Sequence, residues 1–404
     1  MERIIMHIDV NNAFLSWTAI EMLKNGAKTD IRERYAVIGG DEESRRGIVI
    51  AKSNPCKARG VTTAEPLYSA RRKCPYLEVY KGDFKIFKKY SDAMYKYLLN
   101  YTDIIERYSI DECFIDYTGS IKLFGDPIKI AYKIKNDIKT NLGFTVNVGI
   151  GNNKLEAKMA SDFTKPDKVH TLFDNEIKTK MWPLPINDLF MVGKSATSKL
   201  KEMQITTIGE LAKYNPNILI KKFKSHGKLM WEFANGIDNS EVEKKQGNPK
   251  SVSSSTVLPY NYSDKKELYK ILRLLSCDTG QRLRSKNLYA NSVSIWIKYS
   301  DFRKVSKQIS LNNSISNDND IYKFACALFD KLWNQDSYIR ALCVGVSNIS
   351  SNNDKQLSLF GNDIDKKSNL DKERDDKLQK AIDDIKLKYG NNTIGYADIL
   401  KKKN

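Results

Sequence analysis

The sequence predicts a multidomain α+β protein, and three observations carry that prediction. Its 404 residues exceed the size of one ordinary domain. Short apolar runs typical of strands alternate with segments of helical periodicity, and one order of elements occurs twice along the chain. A hydrophilic stretch, NSEVEKKQGNPKSVSSS, separates the two occurrences. We therefore expect two mixed domains joined by a linker, with a helical segment before the linker.

Each occurrence has the order strand, helix, strand, strand, helix, strand, which is the split βαβ or ferredoxin-like plan. With residues 11–76 set aside, the first occurrence comprises these segments: 4–10, 84–100, 103–108, the strand after Asp111, 127–141 and FTVNVGIG. The second comprises SVSSSTVL, 264–286, NSVSIWIKY, VSKQISL, 320–334 and RALCVGVSNI. Residues 171–242 have helical character, and a short amphipathic helix, DKLQKAIDDIKLKYG, is expected near the C-terminus.

The composition indicates a polyanionic partner. The chain has 67 Lys and Arg against 49 Asp and Glu, a formal net charge of +18, which favours nucleic acid or an anionic membrane surface. No stretch approaches 18 uninterrupted apolar residues and the N-terminus lacks a signal-peptide pattern, so we expect a soluble intracellular protein without a membrane partner. Six cysteines without a C-x-x-C pair indicate reduced thiols rather than a zinc site.

Three carboxylates form the strongest candidate site. Asp9 ends the first predicted strand, and Asp111 and Glu112 lie at the hairpin between the next two strands. These strands are neighbours in the ferredoxin-like plan, so the three side chains are expected to converge. Carboxylate oxygens are the ligands that Mg²⁺ prefers, and two such ions can clamp the oxygens of a phosphoryl transfer. The alternative is a solvated turn with Asp9 as a strand-end cap.

A second acidic cluster is GGDEE, Gly39–Glu43. It resembles the GGDEF hairpin of diguanylate cyclases, which also use two metals on a palm-like sheet. Here Glu43 takes the place of Phe, and ESRRG follows with no apolar strand directly behind it. We interpret it as an exposed loop.

Basic and aromatic residues suggest binding surfaces, each with a simpler alternative. Lys57, Arg59 or both can hold a triphosphate, or belong to a solvated basic face. The turn at Gly193 resembles a helix-hairpin-helix that binds DNA phosphates, or is a plain αα-hairpin. Trp296 and Lys298 alternate with apolar residues along one strand, which indicates a polar face able to lie on a duplex, although Trp296 can equally be core at a sheet edge.

The stretch after residue 348 is rich in Ser, Asn, Asp and Lys, as in a disordered tether. One apolar island, QLSLF at 356–360, interrupts it, and nothing local can bury its side chains. A docking peptide is therefore the favoured interpretation. Its apolar side chains are Leu357, Leu359 and Phe360, and Gln356 precedes them.

Together these motifs resemble the Y-family DNA polymerases of the DinB (DNA polymerase IV) and UmuC group. The resemblance spans nearly the whole chain, through IDVNNAF, YSIDECFID, VGIGNNKLEAKMASDFTKPD, the turn at Gly193, QLSLF and the C-terminal KLQKAIDDIKLKYGNNTIGYADIL. It implies that Asp9, Asp111 and Glu112 are catalytic metal ligands for two Mg²⁺ ions, with the Val10 carbonyl as a further ligand.

The resemblance also implies nucleotide contacts. Phe14 matches the steric gate that excludes a 2′-hydroxyl, with helix core as the alternative. Lys165 matches the palm lysine on the triphosphate, and Lys57 takes the place of a fingers arginine near Arg59. Lys194 follows the hairpin glycine. Four positions depart from the family pattern: Lys57 replaces a bidentate arginine, Asn54 a tyrosine, Asn11 the second aspartate of D-x-D, and Met191 the first hairpin glycine.

The implied architecture is a right hand. It comprises a palm (1–10 and 77–170), fingers (11–76), a helical thumb (171–240), a linker (241–250), a ferredoxin-like little finger (251–347) and a flexible tail (348–404). The implied activity is low-fidelity, distributive translesion DNA synthesis on primer-template DNA with dNTPs. A monomer in the bacterial cytoplasm that binds the sliding clamp through QLSLF is expected. The alternatives are a palm-fold nucleotidyl cyclase built on GGDEE and a non-catalytic DNA-binding or clamp-binding scaffold.

Overall fold

The computed structural model describes residues 2–42, 45, 47–244, 247–335, 337–351, 369–390 and 393–396. The chain divides into two compact units. The first comprises Met1–Gly40 and Gly47–Gln246, and the second comprises Asp41–Arg46 and Gly247–Asn404. No helix in the described ranges is long and apolar enough to cross a membrane. All six cysteines are free, as predicted, and five of them are buried.

The described strands, in chain order, are β1 Ile5–Val10, β2 Ala36–Gly39, β3 Val49–Lys52, β4 Glu78–Lys81, β5 Ile105–Arg107, β6 Glu112–Asp116, β7 Val146–Gly151, β8 Val169–Thr171, β9 Ser251–Tyr262, β10 Tyr289–Tyr299, β11 Lys304–Ile315 and β12 Ile339–Ser350. The described α-helices are α1 Ala13–Lys24, α2 Asn54–Ala58, α3 Leu67–Lys73, α4 Phe84–Leu98, α5 Ile121–Phe124, α6 Pro127–Leu142, α7 Lys154–Asp162, α8 Lys194–Glu202, α9 Ile208–Lys213, α10 Pro216–Phe223, α11 Ser225–Ala234, α12 Lys265–Arg284, α13 Asp318–Leu332 and α14 Asn369–Tyr389.

The main sheet of the first unit has the order β5-β6-β1-β7-β8. Strand β1 lies between β6 and β7, antiparallel to both, and each of its six residues is buried. A central strand covered on both faces needs such an apolar run, and IMHIDV supplies it. Of the two hairpin strands predicted beside β1, β6 pairs with it and β5 pairs only with β6, and the end of β1 meets the start of β6.

Helix α1 belongs to the core of this sheet. The ring of Trp17, fully buried, lies 6.2 Å from that of Phe87 on α4 and 6.0 Å from that of Phe144 before β7. The sequence prediction placed residues 11–76 together in a separate fingers segment. In the structure the apolar face of α1 is buried among residues of the main sheet and its helices, so α1 shares their core, and the fingers boundary at residue 11 stays a prediction.

The rest of that segment contains α2, α3 and strands β2 and β3, which belong to a small three-stranded sheet in the order β3-β2-β4. The sheet includes Glu78–Lys81, so it extends beyond the predicted fingers boundary at residue 76. Gly39 ends β2 at a tight contact, since a Cβ there would lie 2.9 Å from Val79 Cγ1. The first glycine of GGDEE is thus required for packing, and Asp41 and Glu42 beyond it are exposed, as the loop interpretation predicted.

The segment 171–242, predicted to be helical, contains α8 to α11 between residues 194 and 234, while Thr171 belongs to β8 and residues 235–242 lie outside the helices. The apolar residues of these helices share one core. The predicted helix before the turn at Gly193 is reduced to a single 3₁₀ turn, Ile186–Asp188. Met191 adopts φ 69°, in the left-handed region that favours glycine, whereas Gly193 has φ −82° and caps α8. Met191 therefore adopts a backbone conformation that glycine takes more readily.

The second unit has the predicted element order, with α12 and α13 packed on a four-stranded sheet. Its strand order is β11-β10-β12-β9, all antiparallel. The first strand therefore lies at an edge, whereas β1 of the other unit is interior. Element order alone does not decide which strands pair. The two sheets have the same order of strands and helices along the chain, but their strands are arranged in a different spatial order.

The C-terminal stretch 348–404 was predicted to be a flexible tail with a short helix at 376–390. In the structure the helix α14 begins earlier, at Asn369, and it is not free. Arg284 Nε lies 2.7 Å from Asp383 Oδ2, and Gln379 donates to Asp318 Oδ2 at 3.2 Å. These contacts attach α14 to the helices of the second unit. The predicted docking residues at 356–360 lie outside the described residues.

Candidate active site

The candidate site lies where β1 ends beside the β5–β6 hairpin. Asp9 and Glu112 are directly opposite each other in the register of β1 and β6, so their side chains leave the same face of the sheet. The backbone N–H of Val10 donates to the carbonyl of Asp111 at 3.1 Å. Ser109 Oγ donates to Asp111 Oδ1 at 2.6 Å, which orients that carboxylate in the turn. The backbone therefore brings the three predicted carboxylates and the Val10 carbonyl to one edge.

Two lysines neutralise the carboxylates in this structure. Lys165 Nζ lies 2.5 Å from Asp9 Oδ2, and Lys158 Nζ lies 2.8 Å from Glu112 Oε1 and 3.7 Å from Asp9 Oδ2. Asp162, one turn beyond Lys158 on α7, contacts both ammonium groups. Lys158 is 8% exposed, and no pattern in the sequence marked it as a site residue.

The electrostatic environment differs between the two opposed carboxylates. Burial raises the pKa of Asp9, and the charge of Lys165 opposes that rise. Burial also acts to raise the pKa of Glu112, but His7 and Lys158 lower it to about 2. Because His7 Nε2 lies 3.7 Å from Glu112 Oε2, too far for a hydrogen bond, we attribute the stabilisation chiefly to Lys158. Glu112 is therefore a carboxylate at neutral pH.

The donor set suits a divalent cation by its chemistry and by its backbone register. Carboxylate and carbonyl oxygens are hard ligands, and an unbalanced cluster of buried carboxylates requires positive charge. Within the described ranges, no three His, Cys, Asp or Glu side chains are arranged as a ready metal site. The reason is visible in the contacts, since Asp9 and Glu112 are each turned toward a lysine.

A cleft of about 520 Å³ opens beside Asp9 and Asp111, whereas Glu112 is not among its lining residues. Its lining includes seven residues that the sequence singled out: Asp9, Val10, Phe14, Asn54, Lys57, Asp111 and Lys165. Arg59 is not among the lining residues, and its guanidinium lies over the ring of Tyr35 at 5.7 Å from the centroid. The cleft is also lined by Asn11, Arg32, Lys52 and Thr63, which the sequence did not mark as site residues. Three cationic residues from the segment 11–76 therefore line the cleft beside Asp9: Arg32, Lys52 and Lys57.

Phe14 lies where the core and the cleft meet, so its position agrees with both interpretations given to it. It lines the cleft, and its ring lies 4.5 Å from that of Phe87 and 6.1 Å from that of Trp17. One face of the ring is therefore supported by the core while another borders the open volume. A rigid aromatic support is what a steric gate needs, because a mobile ring would not exclude a hydroxyl.

Of the predicted DNA-contact residues, Gly193 and Lys194 are exposed, whereas Trp296 and Lys298 are half-buried. Gly193 and Lys194 are exposed at the N-terminus of α8, where free backbone N–H groups favour an anion. In the second unit, Val293, Ile295 and Ile297 are buried whereas Trp296 and Lys298 lie on the opposite face of β10. Lys304 Nζ lies 4.3 Å from the Trp296 ring centroid, so this face is basic as well as aromatic.

Comparison with known proteins gives concordant results. Residues 8–162 match the impB/mucB/samB family, and residues 249–359 match the C-terminal domain of that family. The chain is 48% identical over 402 residues to DNA polymerase IV of Clostridium acetobutylicum, covering 100% of this chain and 99% of the relative. It is 36% identical to DNA polymerase IV of Acetivibrio thermocellus, with 96% of each chain covered. A solved Dbh–Dpo4 Y-family DNA polymerase chimera has the same fold, with a TM-score of 0.75 at 22% identity, covering 86% of this chain and 100% of the chimera.

Proposed function

Because this chain belongs to the impB/mucB/samB family, DinB-like Y-family DNA polymerases that act in translesion synthesis, we propose that the cleft beside Asp9 is its polymerase active site. The substrates of such an enzyme are primer-template DNA and dNTPs. The observation that carries the proposal is the β1–β6 register, which sets Asp9 opposite Glu112 with Asp111 in the adjoining turn. No observation favours the cyclase, and Gly39 of GGDEE is explained by packing.

The carboxylates Asp9, Asp111 and Glu112 and the Val10 carbonyl would hold the metal. We propose Mg²⁺, two ions per site, since hard oxygen donors suit it. When bound, such ions stabilise negative charge on the attacking and leaving oxygens of nucleotidyl transfer. The chain's own part is to fix the oxygens: the β1–β6 pairing sets the spacing of Asp9 and Glu112, and Ser109 orients Asp111.

The nucleotide is proposed to bind along the cleft lining. Lys165 and Lys57 would carry the triphosphate, Asn54 would contact it from the start of α2, and Phe14 would lie beneath the sugar. Lys57 is a point charge without the planar fork of an arginine, so it holds a phosphate with less geometric restriction. Arg59 is left out of this proposal, because it stacks on Tyr35 and does not line the cleft.

The DNA is proposed to contact Gly193 and Lys194 of α8 and the basic face of β10. Backbone N–H groups at a helix N-terminus bind phosphate without reading the base sequence, as a polymerase requires. Trp296 and Lys298 add an aromatic and a charge on a face supported by Val293, Ile295 and Ile297. Contacts of this kind weaken with salt, so the affinity for primer-template should fall steeply with ionic strength.

Three further points belong to the proposal. QLSLF is proposed to bind the bacterial sliding clamp through Gln356, Leu357, Leu359 and Phe360, and replacing the two leucines and the phenylalanine with alanine should abolish clamp association. Retained association would leave the motif without that role. The protein is proposed to act as a monomer in the bacterial cytoplasm, where its DNA substrate lies.

Primer extension by carboxylate variants tests the site. Asp111→Ala and Glu112→Ala should each abolish Mg²⁺-dependent extension while Glu42→Ala, a matched loss of a carboxylate in GGDEE, should extend normally. Full extension by either site variant would exclude the assigned site. Incubation with GTP and Mg²⁺ but no DNA tests the alternative function, a nucleotidyl cyclase. A polymerase should form no cyclic nucleotide under these conditions.

A further inference from the structure

Asn147 is a fully buried amide whose orientation is fixed by its neighbours. It lies on β7, opposite Asp9 in the strand register. Its Nδ2 donates to two backbone carbonyls, Ser161 at 3.0 Å and Thr164 at 2.7 Å. A flipped amide would place its oxygen against both carbonyl oxygens and leave them unpaired. The carbonyl end, Oδ1, must therefore point away from them.

Because Asn147 Oδ1 is an acceptor, the side chain at position 11 must present a hydrogen-bond donor to it. Asn147 Oδ1 accepts from Asn11 Nδ2 at 3.1 Å and from the backbone N–H of Lys168 at 3.3 Å. Asn11 is only 9% exposed, so water cannot readily replace a lost partner. An aspartate at position 11 would be acceptor-only when ionised and would face Asn147 with an oxygen. An amide is thus needed here, where the related motif has a second aspartate.

The other end of Asn11 holds the loop that carries Lys165. Asn11 Oδ1 accepts from the backbone N–H of Asp167 at 2.9 Å. Asp167 is held on its other side by ion pairs of 2.8 Å to Lys135 and to Lys139 on α6. With Asn147 holding Thr164 and Lys168, the loop 164–168 is fixed at three residues around Lys165. Lys165 itself lines the cleft, with its Nζ on Asp9 and Asp162.

We propose that Asn11 is a positioning residue for Lys165, and that its amide is required because it must donate to Asn147 and accept from Asp167 at once. The proposal rests on the proposed function in one respect, the binding of the triphosphate by Lys165. Asn11 acts on nucleotide binding through the loop, and it needs no contact with the nucleotide. A merely structural asparagine would affect stability without a selective effect on the dNTP.

Steady-state kinetics on the full chain with primer-template DNA test the proposal. Asn11→Asp should raise the KM for dNTP about tenfold, because two opposed oxygens at Asn11 and Asn147 would shift the loop that carries Lys165. The kcat and the Kd for primer-template should change less than about twofold. Asn11→Ala removes both hydrogen bonds without the oxygen repulsion and should raise KM by a smaller factor, which keeps the test available if Asn11→Asp folds poorly. Asn217→Asp, the same chemical change at an exposed position of α10, is the matched control.

A double-mutant cycle with Lys165→Met distinguishes positioning from general damage. If Asn11 acts through Lys165, then Asn11→Asp should change KM less than about twofold in the Lys165→Met background. Independent, multiplying effects would overturn the proposal, as would an unchanged KM in Asn11→Asp alone. If Lys165→Met itself leaves KM unchanged, the triphosphate assignment of Lys165 fails and the positioning role fails with it. The single variants therefore tell the two failures apart.

Discussion

Asp9 and Glu112 lie directly opposite each other on neighbouring strands, yet each carboxylate contacts a lysine from the α7 region instead of the other carboxylate. Lys158 is buried beside Glu112, whereas Lys165 is 36% exposed at its side chain and lines the cleft. Two carboxylates at this spacing require compensating charge, and the lysines supply it. Divalent cations bound here would therefore take over charge balance from ammonium groups already in place.

Removing Lys158 should make the protein depend on a divalent cation for stability. In Lys158→Met the partly buried Glu112 loses its 2.8 Å partner, so the melting temperature without metal should fall by several degrees. Added Mg²⁺ should then raise the melting temperature more in this variant than in the unmodified chain. Lys154→Met, on the same helix but paired with Glu106, is the control and should show the unmodified Mg²⁺ response. Equal Mg²⁺ shifts in all three proteins would contradict the role given to Lys158.

Replacing Phe14 should relax sugar selection. Phe14→Ala removes the ring that borders the cleft and rests on Phe87, so incorporation of rNTPs relative to dNTPs should rise about a hundredfold. Phe84→Ala removes a ring 6.4 Å from that of Phe14 that does not line the cleft, and it serves as the control. Single-nucleotide incorporation with each sugar measures the ratio. An unchanged ratio in Phe14→Ala would leave Phe14 as a core residue only.

Glu156 should make stability fall as pH rises. It is fully buried on α7, and burial together with Asp174 raises its pKa from 4.5 to about 8. The unfolded chain ionises above pH 4.5 while the folded chain keeps its proton, so this contribution is complete below pH 4.5 and is lost as pH rises toward 8. The free energy of unfolding should therefore fall by at most about 1.4 kcal/mol per pH unit because of this group.

Glu156→Gln should remove that slope between pH 5 and pH 8, as measured by urea unfolding at several pH values in that range. Glu21→Gln is a suitable control, because hydrogen bonds from Lys89 and Tyr90 lower the pKa of Glu21. A carboxylate of lowered pKa contributes stability above its unfolded pKa and loses it only in acid, so Glu21→Gln should leave the slope between pH 5 and pH 8 intact. A slope that persists in Glu156→Gln would assign it to other groups.

Weakening the Arg284–Asp383 pair should release α14. Asp383→Asn removes the charge that meets Arg284 at 2.7 Å, at a site where both side chains are at least four-fifths buried. Amide hydrogen exchange in Asn369–Tyr389 should accelerate about tenfold or more, while β10 and β12 keep their protection. Asp384→Asn changes the neighbouring exposed residue and should leave the exchange unchanged. Equal exchange in Asp383→Asn and the unmodified chain would show that the pair does not hold the helix.

Local patterns in the sequence predicted the elements well where periodicity was strong. IMHIDV forms the central strand β1, and PIKIAYKIKNDIKTNL forms α6 from Pro127 to Leu142, one residue past the predicted end. The carboxylates Asp9, Asp111 and Glu112 could be singled out because acidic residues at strand ends are conspicuous in apolar surroundings. Lys158 and Asn147 could not, because a lysine in a helix and an asparagine in a strand look ordinary until their partners are known.

Three outcomes show where local reasoning fails. The sequence did not show that Trp17 of α1 packs on Phe87 and Phe144, because these contacts join residues far apart in the chain. It predicted a flexible tail, but α14 is attached by Asp383 to Arg284, which lies 99 positions earlier. It grouped Arg59 with Lys57, but the turn after α2 sends Arg59 to Tyr35. Each of these three placements depends on a contact with a residue that lies outside the short stretch of sequence on which the prediction was based.

By itself the sequence determined the elements, their order and the residue types available for chemistry, because helical and strand periodicity and caps act within a few residues. Only the tertiary structure decided the pairings: which strand lies beside β1, which ammonium group faces each carboxylate, and which way the amide of Asn147 points. Those depend on strand register and on burial, which exist only once distant segments meet and exclude water. The residue types thus determine which chemistry the site can perform, and tertiary packing determines the geometry of the site.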